Sequence, residues 1–246
     1  MKLNITLDSK EDFVKCLRNE LVEENPKTGY GIKGYLEYRK NKNVRHPDDM
    51  YEKYPGKPSL AAELFQKIYG RKEPRSDTIF NCWSYFRMFV KWRLELNDNE
   101  VPEIDIILSE LSNIFHGYDE IKQLFDKLAD LHHSLANFMP APVGYGGGRK
   151  RHDGKGNFSR DNDMPDVYYK RAEKDFPEMY KWINDNMERY SLEFFKEYKT
   201  QWSDGYSTKI NSDDKKLTSF CNSIKDAIGC IESRADRLYC RMLNRT

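Results

Sequence analysis

Residues 118–135 read YDEIKQLFDKLADLHHSL. Ile121, Leu124, Phe125, Leu128 and Leu131 recur at spacings of three and four, the repeat of one helix face. Working outward, the same spacing governs most of the chain. Residues 101–115 carry Ile104, Ile107, Leu108, Leu111 and Ile114 in phase. Ser76-Asp77 is placed to cap a helix striped with Ile79, Trp83, Phe86, Val90 and Leu94, with Phe89 beside it. Pro58-Ser59 opens a helix with Leu60, Leu64 and Ile68 that Gly70 stops. Ser9 caps a first helix through Phe13, Leu17 and Leu21. Downstream, helices are predicted near 166–175, near 178–198 and from 213 to about 243, the last bearing Leu217, Phe220, Ile224, Ile228, Ile231 and Leu238. Residues 26–57, with Gly29, Gly31, Gly34, Pro47 and Pro55, read as irregular, with room for a short hairpin or a stray helical turn. The pattern predicts a mainly α fold: a single-domain helical bundle over 1–246 with an irregular N-terminal third and a long Gly/Arg/Lys-rich loop.

The core has to be aromatic. Only 38% of the 246 residues are apolar, but 13% are Phe, Trp or Tyr, and each buries a large area. No apolar run approaches the roughly 20 residues of a membrane helix, so no membrane partner is predicted. Residues 1–8 lack a basic region followed by a long apolar stretch, which argues against a secretory signal. Five scattered cysteines (Cys16, Cys82, Cys221, Cys230, Cys240) with no C-x-x-C pair form neither a disulfide framework nor a zinc knuckle. They fit free thiols in a reducing cytoplasm.

Lys plus Arg number 41 against 40 Asp plus Glu, a formal net charge of +1. That balance is an average. Residues 136–163 show no periodicity, and aperiodic stretches beyond about 12–15 residues are usually functional or disordered. This one holds Gly144, Gly146, Gly147, Gly148, Gly154 and Gly156 with Arg149, Lys150, Arg151, Lys155 and Arg160, against Asp153 alone before Asp161. Acidic helix faces within 95–110 offset it elsewhere. Glycine-rich backbone presents N–H groups to phosphate while Arg and Lys supply countercharge, so these five cations are the candidate nucleic-acid or phosphate contacts. Neither nucleotide template fits. Five residues lie between Gly148 and Gly154 where a P-loop needs four, and Arg149 occupies the third glycine of a dinucleotide fingerprint.

Asp161, Asp163 and Asp166 are candidate metal ligands for Mg²⁺ or another divalent ion, although Pro165 and Asp166 break a calcium-loop pattern. The simpler use is capping, with Asp163 as the cap, Pro165 in the first turn and Asp166 favouring the positive helix end. His132, His133 and Asn137 are the candidate catalytic residues. An imidazole titrating near neutrality serves as general base or phosphate ligand, while a purely structural pair at a helix C-terminus is favoured as imidazolium by the macrodipole. His116 stands one helix earlier, placed to face the pair.

Arg75-Ser76-Asp77-Thr78-Ile79-Phe80-Asn81 resembles an R-x-D-T-x-N-S segment of an uncharacterised bacterial and phage-borne protein family, with Phe80 inserted. His133-Ser134-Leu135-Ala136-Asn137-Phe138-Met139-Pro140 resembles that family's H-[ST]-[IL]-G-N-F-x-x-x-P, with Ala136 in place of glycine. The resemblance spans about 58–200 and implies a mostly helical fold, no established activity, and a setting of phage defence or counter-defence. The second segment also resembles the G-N-L stretch of His-Asn-His nucleases, whose upstream acidic-His-Ile-x-Pro element this chain lacks. Three functions follow as expectations: nucleic-acid contact through the basic segment; a protein-binding module or inhibitor presenting Tyr30, Tyr35, Tyr38, Tyr51 and Tyr54; and a metal-dependent phosphodiesterase using the histidines, Asn137 and the aspartates.

Overall fold

The computed structural model describes residues 7–15, 29–40, 60–70, 75–97, 100, 103–141, 164–200 and 214–244. The fold is mainly helical, as the spacing predicts. Residues 10–15 are helical and opened by Ser9, whose backbone N–H and hydroxyl both donate to the Asp12 carboxylate at 2.7 and 2.9 Å. Then follow α1 (Gly31–Lys40), α2 (Leu60–Tyr69), β1 (Arg75–Thr78), α3 (Cys82–Arg93), α4 (Ile104–Ile114), α5 (Asp119–His132), a 3-10 turn (Leu135–Asn137) and β2 (Phe138–Ala141). The described C-terminal part holds α6 (Pro165–Asp175), α7 (Pro177–Asp185), the single-turn α8 (Phe194–Glu197) and the 30-residue α9 (Asp214–Leu243).

Three expectations are corrected. Residues 31–40, read as irregular, form the three-turn α1. Ile32, Tyr35 and Leu36 repeat at helical spacing and are fully buried, but Gly31 and Gly34 disguise the pattern. The helix start is also supplied from elsewhere in the chain. Asp130 Oδ1 accepts from the Gly31 N–H at 2.6 Å and Asp126 Oδ1 from the Ile32 N–H at 2.9 Å, so α5 caps α1. Gly31 holds φ +69°, and a Cβ there would lie 2.7 Å from Asp126 Oδ1; only glycine fits that approach.

Second, Ser76-Asp77 lies in a strand rather than at a helix start. The helix begins six residues later, at Cys82, where the Asn81 side chain accepts from the Trp83 N–H at 3.0 Å. Residues 75–78 instead pair antiparallel with residues 138–141, Arg75 opposite Ala141 and Thr78 opposite Phe138. Third, the helix expected over 178–198 is broken. α7 ends at Asp185, and Ser191, at φ +53°, turns the chain before α8.

α5 lies at the centre, with α1 on one side and α9 on another; α9 also meets α2 and the 3-10 turn. The aromatic core is realised where α3, α5 and α9 converge. Phe125 sits 5.3 Å from Phe86, 5.5 Å from Phe89 and 6.2 Å from Phe220, ring centre to ring centre. Of the largest fully buried side chains among the described residues, all but one are Phe or Tyr; the exception is Arg234. No helix among the described residues is long and apolar enough to cross a membrane.

Candidate functional site

The two segments that carry the family resemblance meet in space. Beyond the β1–β2 pairing, the Ile79 N–H donates to the Asn137 carbonyl at 2.8 Å. The Asn137 side chain then acts as one more peptide group. Its Oδ1 accepts from the Phe80 N–H at 2.9 Å, and its Nδ2 donates to the Phe80 carbonyl at 2.9 Å and the His132 carbonyl at 3.0 Å. A side-chain amide has two donors and one acceptor oxygen, and all three groups are engaged here. Asn137 therefore extends the strand ladder past its last backbone pair and ties it to the end of α5.

His132 and His133 stand beside it, ring centres 4.5 Å apart. The Cys82 N–H points at His132 Nδ1 at 3.3 Å. Tyr35 stands edge-on to His132 at 4.8 Å and Tyr38 edge-on to His133 at 4.6 Å. Exposure is 3% for His132 and zero for His133 and Asn137. A general base has to touch the proton it removes, and in this conformation these three are walled off from solvent. The structure thus brings the candidate catalytic residues together and gives them a role inside the fold. His116 lies apart, exposed on the α4–α5 turn.

Asp166 is buried at 5%, in the first turn of α6 behind Pro165. Its two oxygens accept from the Thr200 N–H at 2.8 Å and the Thr200 hydroxyl at 2.7 Å. The N-cap of α6 is Met164 rather than Asp163, and it makes no side-chain cap. Asp161 and Asp163 lie outside the described residues, as do Arg149, Lys150, Arg151, Lys155 and Arg160. Among the described residues no group of three His, Cys, Asp or Glu could hold a metal ion. Of the five tyrosines expected to form a contact surface, Tyr35 and Tyr38 are core, Tyr30 is 58% exposed, and Tyr51 and Tyr54 lie outside the described residues.

Beside Asp166, the Tyr85 and Tyr198 hydroxyls share a buried hydrogen bond of 2.6 Å. Burial pushes both phenols above their ordinary value, as it does Tyr35. A cleft of about 1040 Å³ opens between residues 10–15, α5 and α9, lined by Lys10, Tyr30, Asp126, Lys127, Asp130 and Glu232 among others. Its charges are paired: Lys127 with Glu232 at 2.8 Å and Asp126 with Lys122 at 2.6 Å. Among the described residues nominated from sequence, Tyr30 alone lines it.

Sequence reasoning missed Arg234. Its phase gives it away, three residues after Ile231 and four before Leu238, both buried on α9. A charged residue on the core stripe is the readable signal. No family model, curated protein or solved structure matches the chain.

Proposed function

We propose that this chain binds nucleic acid through the phosphate backbone, with Arg149, Lys150, Arg151, Lys155 and Arg160 as the contacts. The observation that carries the proposal is local charge: residues 141–160 hold five cations and one acid, interleaved with six glycines, in a chain whose total is +1. Phosphate contact needs cations and open backbone N–H groups, and no base-specific pocket. The flanks support the reading. β2 is held by β1 before the segment in sequence, and Pro165 and Asp166 are buried after it. The burial of His132, His133 and Asn137 and the engagement of Asp166 by Thr200 favour binding over phosphodiester cleavage. The cytoplasm, and phage–host conflict as the resemblance implies, are the setting we propose.

The test is fluorescence anisotropy with single- and double-stranded DNA and RNA across salt concentrations. Five phosphate contacts give a slope of log affinity on log salt near −4.5 for duplex DNA (about −0.9 per contact). Replacing Arg149, Lys150 and Arg151 by Gln should bring the slope to about −2. Undetectable binding at low salt, or binding indifferent to salt, overturns the reading. Cleavage on addition of Mg²⁺ would replace it with the phosphodiesterase.

A further inference from the structure

Arg234 is fully buried on α9, and its guanidinium is surrounded by backbone carbonyls from two separate reversals of the chain. Toward the 3-10 turn and β2, Nη1 donates to Ala136 at 2.7 Å and Phe138 at 2.6 Å, with Leu135 at the 3.5 Å limit. Toward the turn after α7, Nε donates to Ser191 and Nη2 to Tyr190, each at 3.1 Å. Arg234 makes no ion pair among the described residues. Desolvation by burial brings its pKa down to about 10, while Tyr69 and Glu193 nearby pull the other way. Ser191 adds a second sign of constraint, since it is a buried non-glycine residue at φ +53° whose carbonyl faces the guanidinium.

The planar fork has five N–H donors in fixed directions. From one position the Arg234 fork thus satisfies carbonyls on both reversals. We propose that Arg234 is a latch: docking of α9 is the condition for the β1–β2 ribbon and the 186–192 turn to hold their geometry, and when α9 lifts they open together.

Native-state hydrogen exchange on the full chain, followed through increasing urea, reads the latch directly. The amides of Ile79, the β1–β2 ladder, Leu192 and α9 around Arg234 should merge into one exchange isotherm, while α4 follows its own. Arg234→Lys keeps the charge but offers three donors from a point rather than a fork. It should lower protection of the ribbon and the turn together, by about tenfold to a hundredfold, and leave α4 within about twofold. Separate isotherms for ribbon and turn in the native chain overturn the latch, and so does an equal loss in α4. If the variant fails to fold, the native isotherms alone decide.

Discussion

Asn137→Asp is nearly isosteric and reverses one atom's chemistry at the centre of the fold. In the native chain Nδ2 donates to the Phe80 and His132 carbonyls at 2.9 and 3.0 Å. The substitution puts an oxygen in its place, facing two carbonyl oxygens in a fully buried site. Two hydrogen bonds are lost at about 1 kcal/mol each, and two carbonyls are stranded at about 1 kcal/mol each as a lower bound, giving about 4 kcal/mol. Over 246 residues, an unfolding entropy of about 2.1 cal/mol/K per residue turns that into a fall in Tm of about 8 °C. The loss should depend on pH. A buried carboxyl is favoured protonated, and the protonated acid regains one donor. The folded variant then binds a proton that the unfolded chain releases above about pH 4. The variant's stability relative to the native chain therefore falls as pH rises from 5 to 7.5. Urea unfolding followed by circular dichroism at both pH values checks this. A variant within about 1 kcal/mol of the native chain, or one whose deficit is identical at both pH values, would refute the role of Asn137 as a substitute peptide group.

Gly31→Ala should destabilise by about 1–2 kcal/mol in backbone strain and by more through displacement of the Asp126 cap. Adding Asp126→Ala should remove the clash but not the strain, so the double variant loses less than the sum in thermal melts. Ser191→Gly relieves the positive φ and should stabilise by up to about 1 kcal/mol, whereas Ser191→Val should destabilise; a stabilised valine variant would contradict the assigned strain. Tyr35, Tyr85 and Tyr198 are held neutral by burial above their ordinary pKa. Above pH 10 the unfolded chain releases three protons that the folded chain keeps, so stability falls by about 4 kcal/mol per pH unit. Tyrosinate absorbance should rise for these three only as ellipticity is lost; ionisation without unfolding would count against it.

Sequence periodicity located α2, α4, α5, α6 and α9 because each buries its own stripe and carries its own start or stop signal. α1 escaped it because its cap comes from Asp126 and Asp130, 94 and 99 residues away, which no local window contains. β1 and β2 escaped it because four-residue strands leave no alternation to read, and their pairing joins residues 60 to 66 positions apart. The Asn137 side chain looked catalytic for a related reason. A His-Ser-Leu-Ala-Asn run is equally consistent with chemistry and with a polar knot, and only the carbonyls of Phe80 and His132 distinguish them. The break at Ser191 was invisible because serine does not announce positive φ; the carbonyl contacts of Arg234 hold it there.

The borrowed cap on α1 also orders events during synthesis. At roughly 5–20 residues per second, the N–H groups of Gly31 and Ile32 emerge about 5–20 seconds before the aspartates that receive them. In that interval α1 is a ten-residue helix with an open start, too short to persist alone in water. Its apolar face (Ile32, Tyr35, Leu36) is then exposed on the nascent chain until α5 follows. α1 is thus a stretch that waits, and its need for a chaperone should scale with any slowing of translation between residues 40 and 130.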